Sequence, residues 1–392
     1  NGDKDGTYHT TFTTANWNTA QTIPVAAVDD RALEGNHSGA LVHAFTSSDA
    51  VYQGITARID GNSGNSLTAS ISDNETGLLE WVPASGSAGE GANNATSVRL
   101  DITAIPAGGT PTLEGTIGAN IGLTLGTAEA ADLGAVTPSV TFTNSSDLAT
   151  APVTAAHNSD TLVEGNESYS LALSITSAPL GTSVSPTAFA GTITDAQSAT
   201  VALTGTATVS ESVVSTPLTV TLTAGAGNTL EGAASVVVNL TDGTATYAGG
   251  TGDYFFNGPN NTVTVNFAAG SANGATQNVP VNIREDVLVE ASETFTAGLG
   301  ATTGAISAAG PGATLTINDN EAAAVSFQAP TSTVGEATTP HNVNALLTIT
   351  AVGSGTAALS APLTVAVTQM FSAAATPADY TLSSTSVTFA AA

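Results

Sequence analysis

Val279-Pro280-Val281-Asn282-Ile283-Arg284-Glu285-Asp286-Val287-Leu288-Val289-Glu290-Ala291-Ser292-Glu293-Thr294-Phe295-Thr296-Ala297-Gly298-Leu299 carries the organisation of the whole chain in one stretch. Apolar residues at 279, 281 and 283 alternate with Pro and Asn, a run of acids interrupts, and the alternation resumes at Phe295, Ala297 and Leu299. Period-two alternation of apolar residues predicts a strand with one buried face, so this stretch reads as strand, acidic turn, strand. Leu218, Val220 and Leu222 alternate with Thr in the same way, as do Val263, Val265 and Phe267 with Thr and Asn. Turn residues fall about every 8–12 positions, the spacing of antiparallel sandwiches.

Working outward, four landmarks recur in one register. A strand with an acidic end closes at Asp73, Asp195 and Asp319, spaced 122 and 124 residues apart. A Glu follows at Glu90, Glu211 and Glu336, at spacings of 121 and 125. An Asp before an apolar residue comes at Asp132, Asp253 and Asp379, at spacings of 121 and 126. The acidic turn recurs as Asp29-Asp30-Arg31-Ala32-Leu33-Glu34, Asp160-Thr161-Leu162-Val163-Glu164 and Asp286-Val287-Leu288-Val289-Glu290. A fixed period over four landmarks is the mark of a repeat protein. The register predicts an all-β chain of tandem Greek-key β-sandwiches placed end to end. It divides into the C-terminal half of a repeat over 1–75, complete repeats over 76–195 and 196–321, and the N-terminal half of a repeat over 322–392. Phe12-Thr13-Thr14 and Phe389-Ala390-Ala391 both align with Phe267-Ala268-Ala269, so the halves overlap by about one strand. Either the chain is a window on a longer array, or the halves complete one another between neighbouring subunits.

Composition narrows the function classes. The chain has 392 residues, 32 Asp plus Glu against 5 Lys plus Arg, and a net charge of -27, which argues against nucleic acid as a partner. Cys is absent, which removes disulfides, thiolate metal sites and Cys nucleophiles. No run approaches the roughly 20 apolar residues of a membrane-spanning helix. The first residues hold neither a signal peptide nor an initiator Met, so the expectation is a processed chain or a piece of a longer one.

The third repeat contains Thr241-Asp242-Gly243-Thr244-Ala245, then Gly252-Asp253-Tyr254, the acidic turn quoted above, and Leu315-Thr316-Ile317-Asn318-Asp319. These motifs resemble the Calx-beta family, immunoglobulin-like repeats of sodium/calcium exchangers, an integrin subunit and large bacterial and sponge surface proteins. The resemblance runs in register over essentially the whole chain, with its most specific motifs in the third repeat. It implies a Ca²⁺ site at one tip of the sandwich, with Glu211, Asp242, Glu285, Asp286, Glu290 and Asp319 as ligands. Five or six carboxylates in one place repel unless a cation shares them, and Ca²⁺ takes 6–8 hard oxygens in flexible geometry. Asp253 and Glu293 read as structural instead.

The other repeats depart from the pattern. In the second, Leu125-Gly126-Thr127-Ala128 stands where the third has Asp-Gly-Thr-Ala, and Ser159 stands where Glu285 does, leaving Glu90, Asp160, Glu164 and Asp195. The N-terminal half keeps Asp29, Asp30, Glu34 and Asp73, while the C-terminal half offers Glu336. Acidic residues at strand ends also serve as plain turn formers bonded to their own backbone.

Catalytic constellations are missing from the sequence. There is no Gly-x-Ser-x-Gly elbow, phosphate loop or His-Glu-x-x-His, and His157-Asn158-Ser159-Asp160 is contiguous on a turn, where triad geometry does not form. With Trp17 and Trp81 as the two tryptophans, no aromatic platform for sugar is apparent. Seven Asn-x-Ser/Thr sequons, Asn36 and Asn239 among them, are the number that chance supplies in a chain so rich in Thr and Ser. The expectation is a non-enzymatic extracellular or cell-surface protein that self-associates head to tail into a fibre, sheath or adhesin stalk with calcium-stiffened joints. The alternatives are an adhesion module for a glycan or cell-surface ligand, with the Ile105 to Thr124 segment as a recognition insertion, and a spacer in a larger secreted protein.

Overall fold

The structure, a computed structural model, describes residues 8–53, 64–105, 108–205, 208–257, 260–338, 340–371, 375, 377 and 379–391. Apart from one 3-10 turn at Ala248–Gly250, the regular elements among the described residues are all strands. The chain divides into two compact units, residues 1–159 with 166–194, and residues 160–165 with 195–392.

The first unit is built on a sandwich of two five-stranded sheets. One runs in spatial order Ser139–Thr143, Thr116–Leu125, Glu167–Ser177, Ala188–Thr194 and Ser85–Gly89; the other runs Thr182–Val184, Thr76–Trp81, Asn93–Thr103, Thr150–His157 and Leu133–Val136. Leu79, Val98, Leu100, Ile117, Leu171 and Phe189 fill the space between them. Alternation places every second residue inward, as in Asn93–Thr103, where Val98, Leu100 and Ile102 are buried.

The second unit repeats this plan strand for strand. One sheet runs Tyr254–Phe255, Thr276–Ile283, Ser215–Ala224, Ala199–Gly205 and Ile306–Ala309; its partner runs Thr208–Ser210, Ala313–Asn318, Glu293–Thr303, Ala234–Asp242 and Thr262–Phe267. Its core holds Val201, Leu218, Val220, Leu222, Val236, Val238, Phe295 and Leu315. The all-β tandem-sandwich expectation is met in both units. In sandwiches of this kind the core is one continuous apolar layer between the sheets.

One expectation is corrected. Ile105 to Thr124 is not an insertion throughout: from Thr116 on it belongs to Thr116–Leu125, a central strand paired with both Ser139–Thr143 and Glu167–Ser177. Ile117, Ala119 and Ile121 point into the core, and the small Gly and Ala residues between and beside them had blurred the alternation.

A short device recurs three times. The apolar pair inside each acidic turn forms a two-residue parallel ladder with a segment far along the chain: Ala32–Leu33 with Thr112–Leu113, Leu162–Val163 with Thr229–Leu230, and Leu288–Val289 with Ala358–Leu359. Each is closed by equivalent hydrogen bonds. Thr112 and Glu114 donate to the Arg31 and Leu33 carbonyls, Thr229 and Glu231 to those of Thr161 and Val163, and Ala358 and Ser360 to those of Val287 and Val289. Leu33 is fully buried in the first unit's core and Val163 in the second's, so the turn of one repeat plugs the core of the next. Burying one such side chain contributes roughly 1.5–3 kcal/mol.

Candidate metal centre

The third repeat's acidic turn is shaped by its own carboxylates. Asp286 Oδ1 accepts the Leu288 N–H at 2.8 Å, the side-chain turn that Asp forms with the backbone two residues on. Asp319, at the exit of Ala313–Asn318, accepts the Glu290 N–H on Oδ2 at 2.6 Å and the Glu321 N–H on Oδ1 at 2.8 Å. These bonds draw the turn, the exit and the residues after it into one cup.

Glu211, just beyond Thr208–Ser210, is its hub. Carboxylate oxygens of Glu211, Asp286 and Glu290 lie within 4.8 Å of one another, and so do those of Glu211, Asp319 and Glu321. Glu211 is only 5% exposed, and its Oε2 is buried without a hydrogen-bond partner, as is Oε2 of Glu321. Burial, then the charges of Asp286, Asp319, Glu321 and Glu290, push the Glu211 carboxyl up to about 8. Burial also raises Glu290 and Glu321. Orphaned buried carboxylate oxygens in a cluster of like charge are costly unless a proton or a cation serves them. All five donors are hard oxygens and no nitrogen or sulfur joins them, so the set fits Ca²⁺.

Two of the six residues implied for this repeat lie outside that hub. Asp242 is exposed, and its Oδ1 accepts the Tyr247 N–H at 2.9 Å and the Tyr254 hydroxyl at 2.5 Å. Tyr254 is fully buried and stacked on Phe295 at 4.0 Å, so Asp242 caps an aromatic pair. The next residue, Gly243, is required there because a Cβ would stand 2.4 Å from the Thr294 carbonyl oxygen. Glu285 accepts the Asn320 Nδ2–H on both oxygens, at 2.9 and 3.2 Å. Asp253, read as structural, accepts the Thr246 N–H at 2.7 Å, and burial followed by its charge raises Glu293 to about 7.

Glu321 was missed by the sequence reading, which used it only as a boundary. The signal was available in Asp319-Asn320-Glu321 and its counterpart Asp73-Asn74-Glu75. Its Oε1 accepts the Val352 N–H at 2.9 Å.

The same cup recurs elsewhere with fewer acids. In the first unit, Asp30 accepts the Ala32 N–H at 2.8 Å, and Asp73 accepts the N–H groups of Glu34, Gly35 and Glu75 at 3.0, 2.6 and 3.0 Å. Burial works against Asp73, but these hydrogen bonds hold its carboxyl below the usual range. Burial raises Glu34 and Glu75, and Asp29 accepts the Asn74 side chain at 3.2 Å. In the second unit, Asp160 accepts the Leu162 N–H at 2.7 Å, while Asp195 accepts those of Glu164, Gly165 and Gln197 at 2.9, 2.7 and 2.6 Å. Glu90 belongs to the first unit, where its N–H meets the Thr194 carbonyl at 3.2 Å.

The Calx-beta domain family matches residues 107–197 and 194–321. No curated protein matches the chain. Among solved structures, the apo form of the Calx CBD1 domain is 21% identical over 31% of this chain and 97% of its own, with a TM-score of 0.25. The calcium binding domain CBD12 of CALX1.1 is 14% identical over 61% of this chain and 99% of its own, with a TM-score of 0.26. The Yersinia pseudotuberculosis adhesin InvE is 17% identical over 62% of this chain and 58% of its own, with a TM-score of 0.27.

Proposed function

The chain belongs to the Calx-beta family, and from that membership we propose that it serves as an extracellular, cell-surface structural module, a stalk, sheath or fibre whose joints between repeats are stiffened by calcium. One observation supports this reading above all: the turn Asp286–Glu290 places a carboxylate on either side of the apolar pair that clamps onto Ala358–Leu359. Metal affinity and joint rigidity therefore act on the same five residues. Calcium, when bound, supplies the positive charge that five carboxylates lack. Glu211, Asp286, Glu290, Asp319 and Glu321 hold it; Asp319 fixes the turn through two backbone N–H groups, and Glu321 ties the cup to Val352 in the following segment. With the repulsion neutralised, the ladder no longer competes with mutual repulsion among its flanking acids.

The role is binding and structural, as Calx-beta domains are. No helix among the described residues is long and apolar enough to cross a membrane. The test is isothermal titration of the full chain with CaCl₂, paired with small-angle scattering in calcium and in EGTA. Saturable calcium uptake with a stiffer, more extended particle in calcium is expected. A chain that takes up no calcium, or takes it up with unchanged scattering, overturns the stiffened-joint reading.

A further inference from the structure

The stretch from Tyr254 to Ile283 holds no Asp, Glu, Lys, Arg or His in a chain of net charge -27. Within it, Thr262–Phe267 forms the edge of its five-stranded sheet, paired on one side with Ala234–Asp242 and, among the described residues, with nothing on the other. At six residues it is the longest described edge strand of the two sandwiches. Val265 and Phe267 are buried in the core, while Thr262, Thr264 and Asn266 are exposed. Antiparallel ladders bond alternate residues to one neighbour. The Leu240 N–H donates to the Asn261 carbonyl at 2.9 Å, which fixes the phase: Val263 and Val265 direct their main-chain groups to Ala234–Asp242, and Thr262, Thr264 and Asn266 direct theirs outward.

An open edge of this kind is a template for a further strand, and proteins usually blunt it with a charge, a proline or a bulge. Thr262–Phe267 carries no charge and no proline, and its pairing with Ala234–Asp242 runs without a shift of register. Beside it a groove of about 380 Å³ opens toward Thr276–Ile283, lined by Phe256, Val263, Val265, Asn278 and Val279 among others. The first unit's counterpart, Ser139–Thr143, is a residue shorter and starts where the Thr137 N–H is tied to the Thr154 carbonyl of the facing sheet at 3.0 Å.

The edge is self-complementary. Turned about a two-fold axis at Thr264, a second copy sets Val263 against Val265, Thr262 against Asn266 and Thr264 against itself. Outward-directed residues then meet outward-directed ones, so each such pair can exchange both main-chain hydrogen bonds, and β-branched side chains meet across the seam. We propose that Thr262–Phe267 is the docking edge for a second copy of this chain, the two strands pairing antiparallel about Thr264 and joining two five-stranded sheets into one. The contact is isologous and closes on itself as a dimer; in a stalk or sheath it ties chains side by side. No carboxylate takes part, so the pairing stands apart from the calcium reading and needs no metal.

The experiment is analytical ultracentrifugation of the full chain, with calcium and with EGTA, for wild type, Thr264→Lys, Thr264→Glu, Thr264→Pro and Thr223→Lys, the last at an exposed position of the facing sheet. Thr264→Pro deletes an outward N–H, where proline disturbs no ladder bond of the sheet itself. Wild type and Thr223→Lys are expected to move toward a dimer with rising concentration, equally in EGTA and in calcium. Each Thr264 variant alone is expected to stay monomeric, because like charges meet at the axis or the donor is gone. An equimolar mixture of Thr264→Lys and Thr264→Glu is expected to regain the dimer, since opposite charges then face each other, and that recovery also shows that both variants are folded. A wild type that is monomeric at every concentration, a Thr264→Lys chain that dimerises as wild type does, or a mixture that stays monomeric overturns the proposal. So does a dimer that EGTA dissolves, which would assign the contact to the acidic cups. Dimers formed by a chain that takes up no calcium would overturn the stiffened-joint reading and leave the edge pairing intact.

Discussion

One carboxylate of Glu321 faces two ways: Oε1 accepts the Val352 N–H at 2.9 Å, while Oε2 is buried without a partner in the group formed with Glu211 and Asp319. Changes at this cup should therefore move metal affinity and the packing of the following segment together.

Glu211→Gln separates charge from shape. It removes the hub of the cup, so calcium affinity measured by calorimetry should fall on the order of tenfold or more. Without calcium the same change removes a buried like charge, so the melting temperature in EGTA at pH 8 should rise. A fall in EGTA would mean that Glu211 is stabilising in its own right.

The pH dependence follows in sign. Glu211 is raised from its ordinary 4.5 to about 8 in the folded chain. Between those values the folded state binds a proton that the unfolded state has lost, so the calcium-free protein loses stability as pH rises from about 4.5 to about 8. Calcium favours the ionised carboxylate, so its affinity should climb over the same window with proton release. Melting curves from pH 5 to pH 9 in EGTA and in calcium check this; parallel profiles would contradict it.

Leu33 tests the ladder. Fully buried in the first unit, its replacement by Ala should cost about 2–5 kcal/mol in urea unfolding of that unit, through lost contacts and a cavity. Leu67→Ala, on an exposed position of the same segment, should stay within about 0.5 kcal/mol.

Gly191 tests the core of the same unit. It pairs with Tyr169 across the sheet, where an added Cβ would stand 2.2 Å from the ring. The third repeat pairs Phe295 with Leu315 at this place, its ring turned onto Tyr254 instead. Gly191→Val should therefore destabilise by about 1–3 kcal/mol and break the 3.2 Å contact of the Tyr169 hydroxyl with His157. NMR of the His157 ring would register the break.

Strands were legible in the sequence wherever large apolar residues alternate with polar ones, as at Val279, Val281 and Ile283. Where the alternating residues are Gly, Ala and Asn, as in Thr116–Leu125, the signal vanished and a central strand read as a loop. Asp286, Glu290 and Asp319 were legible as a group because they recur in register. The tie between Asp242 and the Tyr254 hydroxyl was not, since nothing in the spacing tells a ligand from a cap. The ladders were equally hidden: two residues carry no period, and their partners lie tens of positions further on.

Those ladders hold neighbours together through main-chain groups, and the side-chain requirement is slight: Leu or Val at the second position of the turn, Leu at the second position opposite. A gene segment encoding one repeat can thus be duplicated, deleted or exchanged without redesigning the seam on either side. Such a chain can change its length by recombination while each surviving repeat keeps only this slight requirement at its seams.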